Sequence, residues 1–165
     1  MPESLDVENV PLRPRNSVRE STLVRRLRKV PDAERYELIQ RLISRDIVVG
    51  LEVARAALTN RKHAENLLER GILGSDPSDV ELWLRCLVPK VGVGRVVAFL
   101  RRELETYPDA VDNALYWLPR FLTAASEREK AQYRALHRLA SAQGVIRGPK
   151  PIRDQSGGVR FRRVK

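Results

Sequence analysis

Histidine and cysteine are nearly missing from these 165 residues: Cys86 stands alone, and His63 and His137 are the only imidazoles. A single cysteine excludes an intramolecular disulfide and fits a reducing compartment. Two histidines beside it cannot complete a structural zinc site. No run approaches the roughly 18 apolar residues that a membrane-spanning helix needs. The opening Met1-Pro2-Glu3-Ser4-Leu5-Asp6 lacks the basic and apolar regions of a secretory signal, and its acids argue against an organellar leader. A soluble, cytoplasmic protein is the expectation. Strand-like alternation is absent, as are a serine elbow and a metal-ligand cluster. His63 and Cys86 lie 23 residues apart in different predicted helices, with no motif to pair them as base and nucleophile. The sequence therefore predicts no catalytic, cofactor-binding or metal-binding residue and no enzymatic activity.

Positive charge is what the chain has in excess, and it collects at the two ends. Residues 145–165 carry seven Lys/Arg against one acid, and residues 1–30 carry seven against four. The remainder holds 17 basic and 16 acidic side chains, so the body is nearly neutral although the whole chain stands at +10. Arginine outnumbers lysine 25 to 6. Guanidinium suits two-pronged recognition of phosphate or carboxylate, but a GC-rich genome produces the same bias. Basic ends attract anionic partners, whereas a neutral body does not by itself promise a nucleic-acid face.

Between those ends the apolar residues recur at helical spacing. Residues 1–16, with Pro2, Pro11 and Pro14, read as a flexible arm, and 17–144 as one all-helical domain. Residues 145–165, rich in Gly and Pro, read as a disordered basic tail. Ser17-Val18-Arg19-Glu20, Ser78-Asp79-Val80-Glu81 and Ser126-Glu127-Arg128-Glu129 each fit a capping box. Further helices are expected after Pro31, Ser44–Asp46, Thr59-Asn60, Gly92 and Pro108. Gly71-Ile72 and Gly144-Val145 read as stop signals, where a left-handed glycine ends a helix. The last helix is predicted to bury Tyr133, Leu136, Leu139 and Ala140. Pro119 should bend the helix before it. Seven or eight helices with short loops make an all-α protein, either an irregular multi-helix bundle or a short stack of hairpins.

Two helix starts, at Pro77 and Pro108, lie 31 residues apart. With that offset Val80, Glu81, Leu84 and Leu87 align with Val111, Asp112, Leu115 and Leu118. Stacked pairs of helices at such intervals resemble HEAT-like solenoids in general arrangement. Four matches also arise between any two amphipathic helices.

Sharper functional readings come from a few segments. Residues 53–73 look like a helix-turn-helix, with Ala54 and Ala57 at the crossing and Asn60, Arg61, Lys62, His63 and Asn66 facing outward to meet phosphates and base edges. The competing reading is an ordinary helical hairpin, favoured by Leu58 standing where such turns usually carry glycine. In the tail, Arg147, Lys150, Arg153, Arg160, Arg162, Arg163 and Lys165 can bind phosphates, and Phe161 can stack on a base. A merely solubilising tail is the alternative. Val91-Gly92-Val93-Gly94-Arg95 can form an anion-binding concavity, but without the preceding strand and full glycine and lysine spacing of a phosphate-binding loop, a loop between two helices is the better reading. Trp83, Tyr116, Trp117 and Phe121 suit either an aromatic groove or core packing. Together these features predict a non-catalytic helical scaffold that binds a protein partner, with its basic ends on an anionic component. The alternative is a DNA- or RNA-binding protein that uses residues 53–73 and the tail.

Overall fold

Short polar caps and prolines divide the chain into eight α-helices in the computed structural model, which describes residues 22–146 together with the backbone at 152–153 and 159–160. The helices are α1 (Thr22–Leu27), α2 (Asp32–Arg45), α3 (Ile47–Ala57), α4 (Arg61–Gly74), α5 (Val80–Val91), α6 (Val93–Glu103), α7 (Pro108–Trp117) and α8 (Glu127–Ala142). A 3-10 helix, Leu118–Ala124, follows α7. Pro119 explains it: a ring without an N–H interrupts the α-helical ladder, and the tighter turn takes over. Beyond α8, Ile152–Arg153 pairs antiparallel with Val159–Arg160. The 1–16 arm, the Ser17 capping box and most of the 145–165 tail lie outside the described residues.

The caps work through named atoms. Asp46 Oδ1 accepts from the Val49 amide at 3.0 Å and starts α3 one residue after α2 ends. Asn60 Oδ1 accepts from the amides of Lys62 (2.9 Å) and His63 (3.4 Å) at the start of α4. The Ser126 capping box forms as expected, with the Ser126 amide donating to Glu129 Oε2 at 2.9 Å. At the far end of α8, Gly144 has φ +68° and the Val145 amide reaches back to the Ala140 carbonyl at 2.9 Å.

Three expectations need correction. Ser78 does not cap α5: its amide and hydroxyl both donate to Asp76 Oδ1, at 2.9 and 2.7 Å, and the helix begins at Val80. The aspartate that opens the turn outcompetes the serine because it accepts both donors at once. Gly71 does not end α4, which runs on to Gly74. A Cβ at Gly71 would lie 2.2 Å from Trp83 Cδ2, so its missing side chain admits the indole of α5 instead of a left-handed turn. Leu139 is not part of the buried edge of α8: it is 37% exposed, while Leu136 and Ala140 are buried and Tyr133 half-buried.

Helix packing is ordered. The odd-numbered helices lie side by side, α1 on α3, α3 on α5 and α5 on α7. The even-numbered ones are laced by side chains. Gln40 of α2 meets Arg70 of α4. Glu65 and Glu69 of α4 hold Arg95 and Arg102 of α6 at 3.3 and 3.2 Å. Glu129 of α8 accepts from the Gly94 amide of α6 at 2.9 Å. The two rows meet where α2 packs on α3, α4 on α5 and α7, and α6 on α5 and α7. Val80, Leu84, Leu87, Val111, Leu115 and Leu118, the apolar positions aligned by the 31-residue offset, are all buried. The fourth aligned pair diverges: Asp112 is buried, whereas Glu81 reaches Arg120 near the surface. α2 and α3 approach closely at Gly50, where a Cβ would lie 2.5 Å from the Ile43 backbone.

Candidate anion-binding edge

At one edge of this two-row stack, α1, α3 and α5 come to an end beside one another. Arg28, just past α1, donates from Nη2 to the Ala56 carbonyl in the last turn of α3 at 2.9 Å. Lys90, in the last turn of α5, donates from Nζ to the Leu58 carbonyl that follows α3 at 2.6 Å. Arg35 of α2, only 8% exposed, sits between them. Its guanidinium donates to the carbonyls of Leu27 (2.9 Å), Val30 (2.8 Å), Arg28 (3.4 Å) and Ala57 (3.3 Å), and to Thr59 Oγ1 (3.0 Å). Helix C-termini leave carbonyls without intrahelical donors, and three cations serve them here.

The charge at this edge exceeds what the helix ends require. Each C-terminus carries about half a negative charge and each N-terminus about half a positive one. Because α1, α3 and α5 hand on within a few residues to α2, α4 and α6, the two sets of ends nearly cancel. The side chains are left to set the sign. Arg28, Arg55 and Lys90 have no carboxylate within 4.0 Å among the described residues. Burial, reinforced by the positive charges of Arg28 and Arg55, pushes the Lys90 ammonium below its ordinary range. Arg25, Arg26 and Lys29 are exposed on and just after α1, and Arg85 on α5. Across the α4–α6 seam, by contrast, Arg95 and Arg102 are matched by glutamates.

The structure brings part of the predicted helix-turn-helix to the same edge. Arg61 and Lys62 are exposed within a few residues of the Leu58 carbonyl held by Lys90. Asn66 is exposed one turn further along α4. Two of the five residues expected to face outward are engaged within the fold. Asn60 caps α4 and donates from Nδ2 to Asp32 Oδ2 at 2.8 Å. His63 places Nδ1 3.1 Å from the same oxygen and stacks on Tyr36 at 4.4 Å. Moreover, α3 and α4 pack chiefly on other helices, α3 on α2 and α5 and α4 on α5 and α7. The tail candidates Arg147, Lys150, Phe161, Arg162, Arg163 and Lys165 lie outside the described residues. Arg153 and Arg160 fall in the short strand pair, described as backbone only.

Other candidates are absorbed by the fold. The Gly92–Gly94 bend does gather a carboxylate, but it is that of Glu129. Bonds from the Ser126 amide, the Ser126 hydroxyl and the Gly94 amide hold that carboxyl below its usual range. Trp83 is buried against Gly71, while Tyr116 and Trp117 meet edge to face and Arg120 lies 4.4 Å from the Trp117 ring. Cys86 is fully buried, and burial with the nearby Glu52 charge drives its thiol up to about 11. The residues missed from sequence are Arg28, Arg35, Arg55 and Lys90. Arg28, Arg55 and Lys90 share only a recurrence of cations near the ends of odd-numbered helices, and Arg35, in the first turn of α2, does not share even that. Comparisons with protein-family models, with curated proteins and with solved structures return no match, so the functional reading rests on this geometry.

Proposed function

We propose that this chain is a non-catalytic helical binding module that holds an anionic component of a larger assembly on the edge where α1, α3 and α5 end. The observation that carries this reading is the gathering of Arg28, Arg55 and Lys90 where α1, α3 and α5 end, with no carboxylate within 4.0 Å of any of them among the described residues. Like charges held together raise the free energy of the native state, and an anionic ligand relieves that strain. The frame is read as a HEAT-like stack, in which consecutive hairpins present their ends in a row. His63 and Cys86 act structurally in this reading, one stacked and paired, the other buried.

A protein partner on a second surface is the companion reading. It is favoured by Leu139, exposed on the terminal helix α8, and by Tyr107 at 45% exposure. The principal reading is tested by eluting the full chain from immobilised heparin with a salt gradient. Arg55→Gln and the pair Arg61→Gln with Lys62→Gln should each elute at lower salt than the unaltered chain. Elution at unchanged salt in both variants overturns the assignment of the edge.

A further inference from the structure

Resting on that reading, we infer that the anion held at the α1–α3–α5 edge is the phosphate backbone of a nucleic-acid duplex, bound without regard to base sequence. The edge is rich in cations, and the carboxylate beside it, Asp32, is engaged by Arg35, Asn60 and His63. α1 and α3 contain no aromatic residue, and the single aromatic of α5, Trp83, is buried. Proteins that grip single strands do so by stacking bases on aromatic rings, and the rings beside this edge, Tyr36 and His63, are already stacked on each other. Protein partners, including acidic ones, anchor on exposed aromatic and large aliphatic side chains at the centre of the contact. The two such residues exposed among the described residues, Tyr107 and Leu139, belong to none of α1, α3 and α5.

Rigidity points the same way. Arg28 and Lys90 are tethered to the Ala56 and Leu58 carbonyls, so their positions are fixed before any ligand arrives. A duplex presents phosphates at fixed intervals, and a fixed row of cations meets it with little ordering cost. Flexible acidic peptides would lose more entropy on the same surface. Base reading is not expected. Of the groups at the start of α4, the Asn60 amide and the His63 ring are committed to capping and to Asp32. What remains at the start of α4 is Arg61 and Lys62, which can pair with phosphates, and Asn66 is a lone exposed amide one turn further along.

The test is a titration of the full chain against a labelled DNA duplex, its single strand and poly-L-glutamate, at salt from about 50 to about 200 mM. The duplex should bind tightest. Each phosphate contact should add about 0.9 to the log–log salt slope, so Arg55→Gln should reduce that slope by about 0.9. Arg55 makes no side-chain hydrogen bond or ion pair among the described residues, and circular dichroism will verify that the variant folds. Arg25→Gln with Arg26→Gln supplies an independent check on exposed side chains. Tighter binding of the single strand overturns the inference. Preferential binding of poly-L-glutamate that is lost in Arg55→Gln overturns it too, but leaves the anion-binding edge standing. An unchanged affinity and salt slope for every ligand in both variants overturns the edge as well.

Discussion

Arg35 closes the end of α1 by donating from Nε to the Leu27 carbonyl at 2.9 Å, and the same guanidinium reaches the Ala57 carbonyl of α3. One buried fork thereby joins three helices. Arg35→Met should destabilise the fold by about 3–5 kcal/mol, because several carbonyls lose their donor in a place closed to water. Arg35→Lys keeps the charge but cannot span the same acceptors, and most of that loss should persist. Urea denaturation of the two variants measures both. A loss within about 0.5 kcal/mol for Arg35→Met would show that the network contributes nothing beyond a surface substitution.

Gly71 and Gly74 lie in the same helix and should respond in opposite directions to alanine. A methyl at Gly71 would meet the Trp83 ring at 2.2 Å, whereas nothing lies within 4 Å of one at Gly74. Overpacking should make Gly71→Ala cost about 1–3 kcal/mol. Gly74→Ala should be neutral or stabilising by up to about 1 kcal/mol, through lower chain entropy in the unfolded state. Thermal melts of both proteins check the contrast.

Stability and binding should trade against one another at Arg55. Removing its charge relieves repulsion on Lys90, so Arg55→Gln should raise stability slightly, by up to about 0.5 kcal/mol, while weakening polyanion binding. The sign at Lys90 follows from linkage. Its folded pKa lies below the ordinary 10.5, so the unfolded chain binds more protons in that window and stability rises as pH climbs through it. A melting temperature that falls in Arg55→Gln at neutral pH would contradict this account.

The Glu129 carboxylate gives the fold an acid limb of known direction. Because its folded pKa is depressed, its contribution is complete above the ordinary 4.5 and disappears as pH falls through the lower folded value. Glu129→Gln should flatten the pH dependence of stability in that acidic window. Chemical denaturation of the two proteins at a series of pH values reads the difference.

Cys86 should be silent in the native protein. A thiol that is fully buried and raised to about 11 offers almost no thiolate at neutral pH. An aromatic disulfide reagent should label it only after denaturation, and rapid labelling of the folded chain would contradict its placement.

Local chemistry made much of this architecture legible in advance. Pro31, Asn60, Ser126 and Gly144 each act on their own few residues, and each does in the structure what its neighbours imply. The errors arise where a distant residue decides. Gly71 reads as a stop until Trp83 arrives from α5, and Ser78 reads as a cap until Asp76 accepts its donors. The cationic edge was only partly readable. Arg61 and Lys62 share a segment and could be singled out. Arg28 follows α1 while Arg55 and Lys90 belong to α3 and α5, and only packing makes them neighbours. Arg35 gave less warning still, because its partners are backbone carbonyls, which leave no mark in a pattern of side chains.

The central position of α5 governs how the molecule comes apart. That helix touches α3, α4, α6 and α7, so none of them can lose its seat while the others keep theirs. Hydrogen exchange across these five segments should share one high protection limit. The outermost helix, α8, leans chiefly on α6, and its amides should exchange sooner, through an opening that leaves the rest of the protein intact.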